Sequence, residues 1–297
     1  MTDTIQIIYK ESVAKLKFAK CPSPELDASV ILSHVLKKDK AFLITHPDDK
    51  LPKKEISKIN RLIKKRQKDE PIAYIVKYKE FFSSEFSVNQ NVLIPRPESE
   101  WLVEEALRLI RKKIRTPDFQ PLAILDMGTG SGCLIISLTK ELLKTKDFKT
   151  KKIEFFASDI SKKALFIAKK NAKKILGNNF YRIKFFHSDL FSNHFLHKKY
   201  DLIIANLPYV PFDNKTMYQL RFEPKNAIFA GNNGLEIIEN LIKDANKYLK
   251  KNGLILIELD PRNGISLEKL ASQFYVNSEI NLIKDLCGRN RYLKIRL

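Results

Sequence analysis

Five short, almost wholly apolar segments follow Pro121, and stretches of helical periodicity separate them; this alternation leaves few folds open. Residues 122–125, 153–157, 183–186, 202–205 and 254–258 each have the length and apolar character of a strand buried on both faces. Between them, one helix is predicted to run through Leu143. A second carries Ala164, Ala168, Ala172 and Ile175 on one face, and a third carries Ile238, Leu241, Ala245 and Leu249. Such strands alternating with helices imply an α/β fold with a mainly parallel sheet covered on both sides. The tail, 280–286 and 292–297 around Cys287-Gly-Arg-Asn290, predicts two strands joined by a short loop, hence one antiparallel pair at the end. No internal repeat is visible.

The preceding residues follow another pattern. The first eighty predict short helices, punctuated by Pro22, Pro24, Pro47 and Pro52. Over 53–68, Ile56, Ile59 and Ile63 fall at helical spacing against a face of lysine and arginine; 26–36 carries Leu26, Val30 and Val35. With no phosphate loop or metal cluster in it, this part is expected to be a helical bundle that presents a surface to a partner. From Glu80, residues Phe81, Phe82, Phe86, Val88, Val92 and Ile94 predict short strands or a hairpin ended by Pro95 and Pro97. A helix with Leu102, Ala106 and Ile110 on one face follows. The expected organisation is a helical domain over 1–79, a linker and hairpin over 80–100, and the α/β domain over 101–297.

Composition excludes several classes. With 44% hydrophobic residues the chain has ample material for a core, which argues against disorder. No apolar run approaches the roughly 20 residues needed to span a bilayer. Residues 1–4 lack the basic start and apolar stretch of a signal peptide. Cys21, Cys133 and Cys287 are odd in number and far apart, which fits reduced thiols, and a cytoplasmic location is expected. The five histidines lack accompanying carboxylates or cysteines at ligand spacing, so no metal site is expected. A net charge of +20 has two explanations that the sequence leaves open: a lysine-rich composition spread along the whole chain, or an acidic partner, protein or RNA.

The ends of the first four strands carry the chemistry. Asp126-Met-Gly-Thr-Gly-Ser-Gly-Cys133 lies between the first strand and its helix, where a doubly wound sheet binds its ligand. Gly128, Gly130 and Gly132 allow close backbone approach. Their spacing is short of the dinucleotide fingerprint, and no Gly-Lys-Ser/Thr follows. Asp159 ends the second strand, where a carboxylate accepts from ribose hydroxyls; Asp189, before Leu190, ends the third, suitably for the exocyclic amine of adenine. Each aspartate alone also suits a helix cap or a turn. Three acidic strand ends in register favour a nucleoside ligand.

The fourth strand ends in Ala205-Asn-Leu-Pro-Tyr209, which resembles the Asn-Pro-Pro-Tyr motif of methyltransferases acting on planar nitrogens. An amide nitrogen is a poor nucleophile because its lone pair is delocalised. Accepting hydrogen bonds from both its N–H groups raises its electron density and fixes its orientation. Asn206 offers a side-chain oxygen, Leu207 its backbone carbonyl, and Tyr209 a ring to pack on the flat group. Taken alone, the tetrapeptide also suits a strand-end turn.

Over nearly its whole length the chain resembles the bacterial release-factor glutamine methyltransferases, the PrmC/HemK family. The matches run in order: Asp27-Ala28 through His34-Val-Leu36, Glu70-Pro-Ile-Ala-Tyr74, Glu80-Phe81, Leu93-Ile-Pro-Arg-Pro-Glu-Ser-Glu100, Glu223-Pro through Gly234-Leu235, and Lys284-Asp-Leu-Cys-Gly288. The resemblance implies a class I S-adenosylmethionine-dependent methyltransferase: a Rossmann-like, mainly parallel sheet with an antiparallel last strand, plus a small N-terminal helical domain. It implies S-adenosyl-L-methionine as cofactor, with S-adenosyl-L-homocysteine as product. Gly128, Thr129, Gly130, Ser131, Gly132, Asp159, Asp189, Leu190 and Asn206 would contact or adjoin the cofactor, and Asn206, Leu207, Pro208 and Tyr209 would hold the substrate glutamine. Pro95-Arg-Pro-Glu98 would lie at the mouth, with Glu98 or Glu100 shaping it. The implied partners are class I peptide-chain release factors, docked with help from the helical domain; no membrane is involved, and nucleic-acid contact is secondary. Two departures stand out: Leu207 replaces a usual proline, and Glu258-Leu-Asp-Pro-Arg262 replaces Glu-Ile-Gly. The alternatives are an adenine N6-methyltransferase acting on RNA or DNA, a glutamine methyltransferase of a ribosomal protein, and a non-catalytic binding module that keeps the cofactor loop.

Overall fold

The computed structural model describes residues 3–145, 152–231 and 233–297. The chain divides into two compact units, the division falling between Tyr78 and Lys79. Among the described residues no helix is long and apolar enough to cross a membrane, and no group of three or more His, Cys, Asp or Glu side chains comes together as a metal site would require.

The first unit is built of α1 (Ile5–Phe18), α2 (Pro24–Leu36), α3 (Lys40–Thr45), α4 (Lys53–Arg66) and α5 (Ile72–Val76). Local chemistry sets the helix starts: the Thr4 side chain caps α1 through Ile7 N, and Asp39 caps α3 through Phe42 N. Ile5, Ile8 and Leu16 of α1, Ile31 and Leu32 of α2, and Ile59 and Ile63 of α4 form one apolar cluster. The predicted α4 face is present, with Leu62 joining Ile59 and Ile63, whereas Ile56 is only partly buried. Asp27, buried on α2, is paired rather than stranded, since Arg66 Nε donates to its Oδ2 at 2.6 Å.

The second unit begins within β1 (Tyr78–Phe81), which forms a hairpin with β2 (Ser84–Ser87) through Phe82 and Ser83, both at positive φ. Strand structure ends at Ser87: Val88, Val92 and Ile94 are buried without joining a ladder. After α6 (Glu100–Ile114) come β3 (Leu122–Met127), α7 (Cys133–Leu143), β4 (Ile153–Asp159), α8 (Lys162–Leu176), β5 (Ile183–His187) and β6 (Tyr200–Ala205). Then follow α9 (Asn214–Gln219), α10 (Glu236–Ala245), β7 (Leu249–Glu258), α11 (Gly264–Phe274), β8 (Glu279–Lys284) and β9 (Asn290–Arg296).

The seven strands are ordered β5-β4-β3-β6-β7-β9-β8. β3 to β7 are parallel, and β9 inserts antiparallel to both β7 and β8. The expected antiparallel tail is thus present, with β9 inside the sheet and β8 at its edge. Alternate residues serve two cores: Leu122 and Ile124 of β3 and Leu202 and Ile204 of β6 pack among residues of α6 and α7. Ala123, Leu125, Ile203 and Ala205 pack among residues of α10 and α11. Burial on both faces is why these strands are apolar throughout. Leu249 does not extend the α10 face as its spacing predicts. The helix stops at Ala245, a short turn follows, and Leu249 opens β7 opposite Tyr200.

Candidate active site

Strand order reverses between β3 and β6: successive strands build outward to β4 and β5 on one side and to β7 on the other. The carboxyl ends of β3 and β6 therefore flank a crevice, the place where a doubly wound sheet admits a ligand. The glycine loop leaves one of these ends and Asn206-Leu-Pro-Tyr209 leaves the other.

The glycine loop is fixed by backbone geometry. Gly128 has φ +73°, and a Cβ there would lie 2.5 Å from Leu207 Cδ2, so the loop and the tetrapeptide turn touch where only hydrogen fits. The Leu207 side chain is buried against Gly128. Thr129 N donates to Ser158 O at 2.8 Å, and Gly130 N to Asp159 Oδ2 at 2.8 Å. Thr129 Oγ1 donates to Asp126 Oδ2 at 2.6 Å. Asp126 is fully buried, and burial pushes its carboxyl up to about 7 against that hydrogen bond.

Ten of the predicted residues line one cavity: Gly128, Thr129, Gly130, Ser131, Asp159, Asp189, Leu190, Asn206, Leu207 and Pro208. Gly132 and Tyr209 lie outside its lining. Gly132 faces Ile136 and Ala168, allowing α7 and α8 to approach each other. Tyr209 turns its hydroxyl to Glu258 Oε1 at 3.2 Å. Of the mouth residues, Pro95 and Arg96 line the cavity but neither Glu98 nor Glu100 does. The Glu100 carboxylate instead accepts from Phe82 N at 2.8 Å, securing the hairpin turn. Between those two glutamates, Ser99 turns inward and is part of the lining. Arg96 Nη2 donates to buried Glu223 Oε1 at 2.5 Å, and Ile94 N donates to the other oxygen at 3.1 Å, which ties the segment before α6 to the one after α9.

Sequence reasoning missed the pair behind Asn206. Asn206 Nδ2 donates to Ser99 Oγ at 2.8 Å and to Glu258 Oε2 at 3.0 Å. Ser99 Oγ donates to Glu258 Oε2 at 2.6 Å. Glu258 ends β7 and is 1% exposed; burial raises its carboxyl above the ordinary range, opposed by the Ser99 bond, the Arg291 charge and the Tyr209 bond. Ser99 and Glu258 both lie in segments that stand out in the sequence, Leu93 to Glu100 and Glu258 to Arg262, but neither is assigned a role there. The rest of the departing segment is self-contained: Asp260 accepts from Arg262 N at 2.9 Å and pairs with its guanidinium, away from the cavity lining. Cys133, partly buried, lines the cavity, and desolvation pushes its thiol up to about 12.

The lining suits S-adenosylmethionine. Each Asp159 oxygen accepts one backbone bond, from Gly130 N or Ser161 N, and keeps a lone pair for a ligand hydroxyl. The exposed Asp189 carboxylate adds a further acceptor, while Val92, Ile160, Leu190 and Phe229 supply apolar surface for a flat base.

Residues 8–76 match the model of the PrmC N-terminal domain, and residues 119–281 match that of a methyltransferase domain. The release factor glutamine methyltransferase of Buchnera aphidicola subsp. Acyrthosiphon pisum is 34% identical over 284 residues, covering 95% of this chain and 94% of that protein. The chain belongs to the release factor glutamine methyltransferase family. Its second unit is a class I S-adenosylmethionine methyltransferase domain, and the cofactor of this family member is S-adenosylmethionine. The bifunctional methyltransferase of Rickettsia felis is 33% identical across 99% of this chain, which spans 58% of that relative's length. Among solved structures, the hMettl16 catalytic domain in complex with a MAT2A 3'UTR hairpin has a TM-score of 0.53 and 15% identity, covering 89% of this chain and 90% of that one. That likeness shows the shared fold alone.

Proposed function

We propose that this family member methylates the side-chain amide nitrogen, N5, of the glutamine in the Gly-Gly-Gln loop of class I peptide-chain release factors. The observation that carries the proposal is the Asn206 carboxamide. Its nitrogen is engaged by Ser99 and Glu258, which leaves its oxygen as an acceptor at the cavity beside Leu207. Bound S-adenosylmethionine supplies a methyl group on a positively charged sulfur, open to direct displacement. Asn206 Oδ1 and the Leu207 carbonyl accept the two N–H bonds of the substrate amide, holding its nitrogen in line and raising its electron density. Asp159 and Asp189 would hold the nucleoside end of the cofactor beside the glycine loop.

Orientation supplies most of the rate gain, an effect that reaches on the order of 7–11 kcal/mol in well-ordered sites. The proton on nitrogen becomes acidic once the new bond forms and leaves to solvent, so no strong base is required. The helical unit over 1–78 docks the release factor, and the reaction takes place in the cytoplasm. The test is incubation with S-adenosylmethionine and unmethylated release factor, followed by peptide mass spectrometry. Methyl on the Gly-Gly-Gln glutamine, absent with Asn206→Ala, is expected; transfer to ribosomal RNA adenine or to a ribosomal protein instead would overturn the assignment.

A further inference from the structure

An asparagine side chain has two chemically opposite ends, and the end that faces the substrate decides whether the site accepts or donates hydrogen bonds. A substrate amide nitrogen brings only N–H donors, so the Asn206 oxygen must face it. The Asn-Leu-Pro-Tyr turn does not itself dictate that choice. Ser99 Oγ and Glu258 Oε2 both sit within 3.0 Å of Nδ2. The Ser99 hydroxyl directs its own proton to the same Glu258 oxygen, so both atoms present only lone pairs to Asn206. The Tyr209 hydroxyl holds the other oxygen of the carboxylate.

Turning the carboxamide over would set Oδ1 against two acceptors and leave Nδ2 facing the substrate's donors. Ser99 and Glu258 are each 1% exposed, so water cannot relieve that opposition. We infer that Ser99 and Glu258 are positioning residues that lock the Asn206 carboxamide with its oxygen toward the substrate nitrogen. The inference rests on the proposed amide methylation and deepens it, by assigning the acceptor polarity of the site to two residues far away in sequence.

The test exchanges donor for acceptor. Asn206→Asp alone sets a second carboxylate against Glu258 and Ser99, and is expected to lower kcat on release factor by ~100-fold or more and to lower the denaturation midpoint. Adding Glu258→Gln supplies a donor at that contact, so the introduced carboxylate accepts there and keeps an oxygen for the substrate. The double variant is expected to regain at least ~10-fold in kcat over Asn206→Asp, and to regain midpoint, with S-adenosylmethionine affinity within ~3-fold throughout. Independent, multiplying losses in an active wild-type background would overturn the lock. If the wild-type protein methylates no glutamine, the functional assignment falls while the midpoint arm still decides the contact: recovery supports it and additivity overturns it. Should Asn206→Asp fail to fold, Ser99 decides instead. Ser99→Ala is expected to lose several-fold in kcat while Ser99→Thr keeps it, and equal loss in both would refute the lock.

Discussion

The ends of β3 and β6 lie side by side in the sheet, yet they are held by different means. After β3, conformation is set locally: positive φ angles, absent Cβ atoms and backbone bonds to Ser158 and Asp159 shape the loop within one crossover. After β6, the key side chain is set from afar, by Ser99 ahead of α6 and Glu258 at the end of β7. The contrast follows from what each must do. A loop that wraps a cofactor needs shape, which glycine supplies by itself. A side chain that must present one end of an amide needs partners of fixed polarity, and these come from whichever elements the fold brings near.

Substitutions separate the two means. The largest effect is expected at the β6 end: Asn206→Ala removes the acceptor and lowers kcat by on the order of 10²–10³, as loss of one well-placed polar group does elsewhere. Steady-state kinetics with release factor measures it. At the β3 end, Gly128→Ala forces a Cβ against Leu207 in a positive-φ position, costing about 1–3 kcal/mol of strain. S-adenosylmethionine binding, read by calorimetry, should weaken by roughly tenfold or more.

A smaller effect concerns pH. The Asp126 carboxyl lies at about 7 in the folded protein against an ordinary 3.8, so it favours folding only while protonated. Its contribution is fully present below the ordinary value and is lost as pH rises toward 7. Thermal unfolding midpoints should therefore fall more steeply between pH 4 and 7 in the wild type than in Asp126→Asn, whose midpoint at pH 8 should be the higher. The smallest effect is expected outside both ends. Lys174 and Glu85 pair with side chains 43% and 49% exposed, so Lys174→Ala should change stability by less than about 1 kcal/mol in chemical denaturation and leave turnover unaltered.

The same contrast explains what the sequence made legible. β3 to β7 could be read because strands buried on both faces must be apolar along their length, and the glycine loop because its requirements are local. The buried apolar set of the N-terminal helices was only partly legible, since α1 spreads Ile5, Ile8 and Leu16 among charged neighbours. Leu249 misled because a short turn intervenes where helical spacing would have continued. Ser99 was hidden between two more conspicuous glutamates, neither of which lines the cavity. Its role emerges only when the segment ahead of α6 lies beside the end of β7. Long-range polar contacts leave no periodic trace in a sequence.

The division of labour between the two ends is tested most directly by measuring S-adenosylmethionine affinity and the single-turnover rate of methyl transfer on the same preparations of Gly128→Ala and Asn206→Ala. Expected is a crossed pattern. Gly128→Ala should lose affinity and recover much of its rate at saturating cofactor, while Asn206→Ala should keep affinity within a few-fold and lose its rate at every cofactor concentration. Parallel loss of affinity and rate in both variants would contradict it, since the two strand ends would then act as one binding surface.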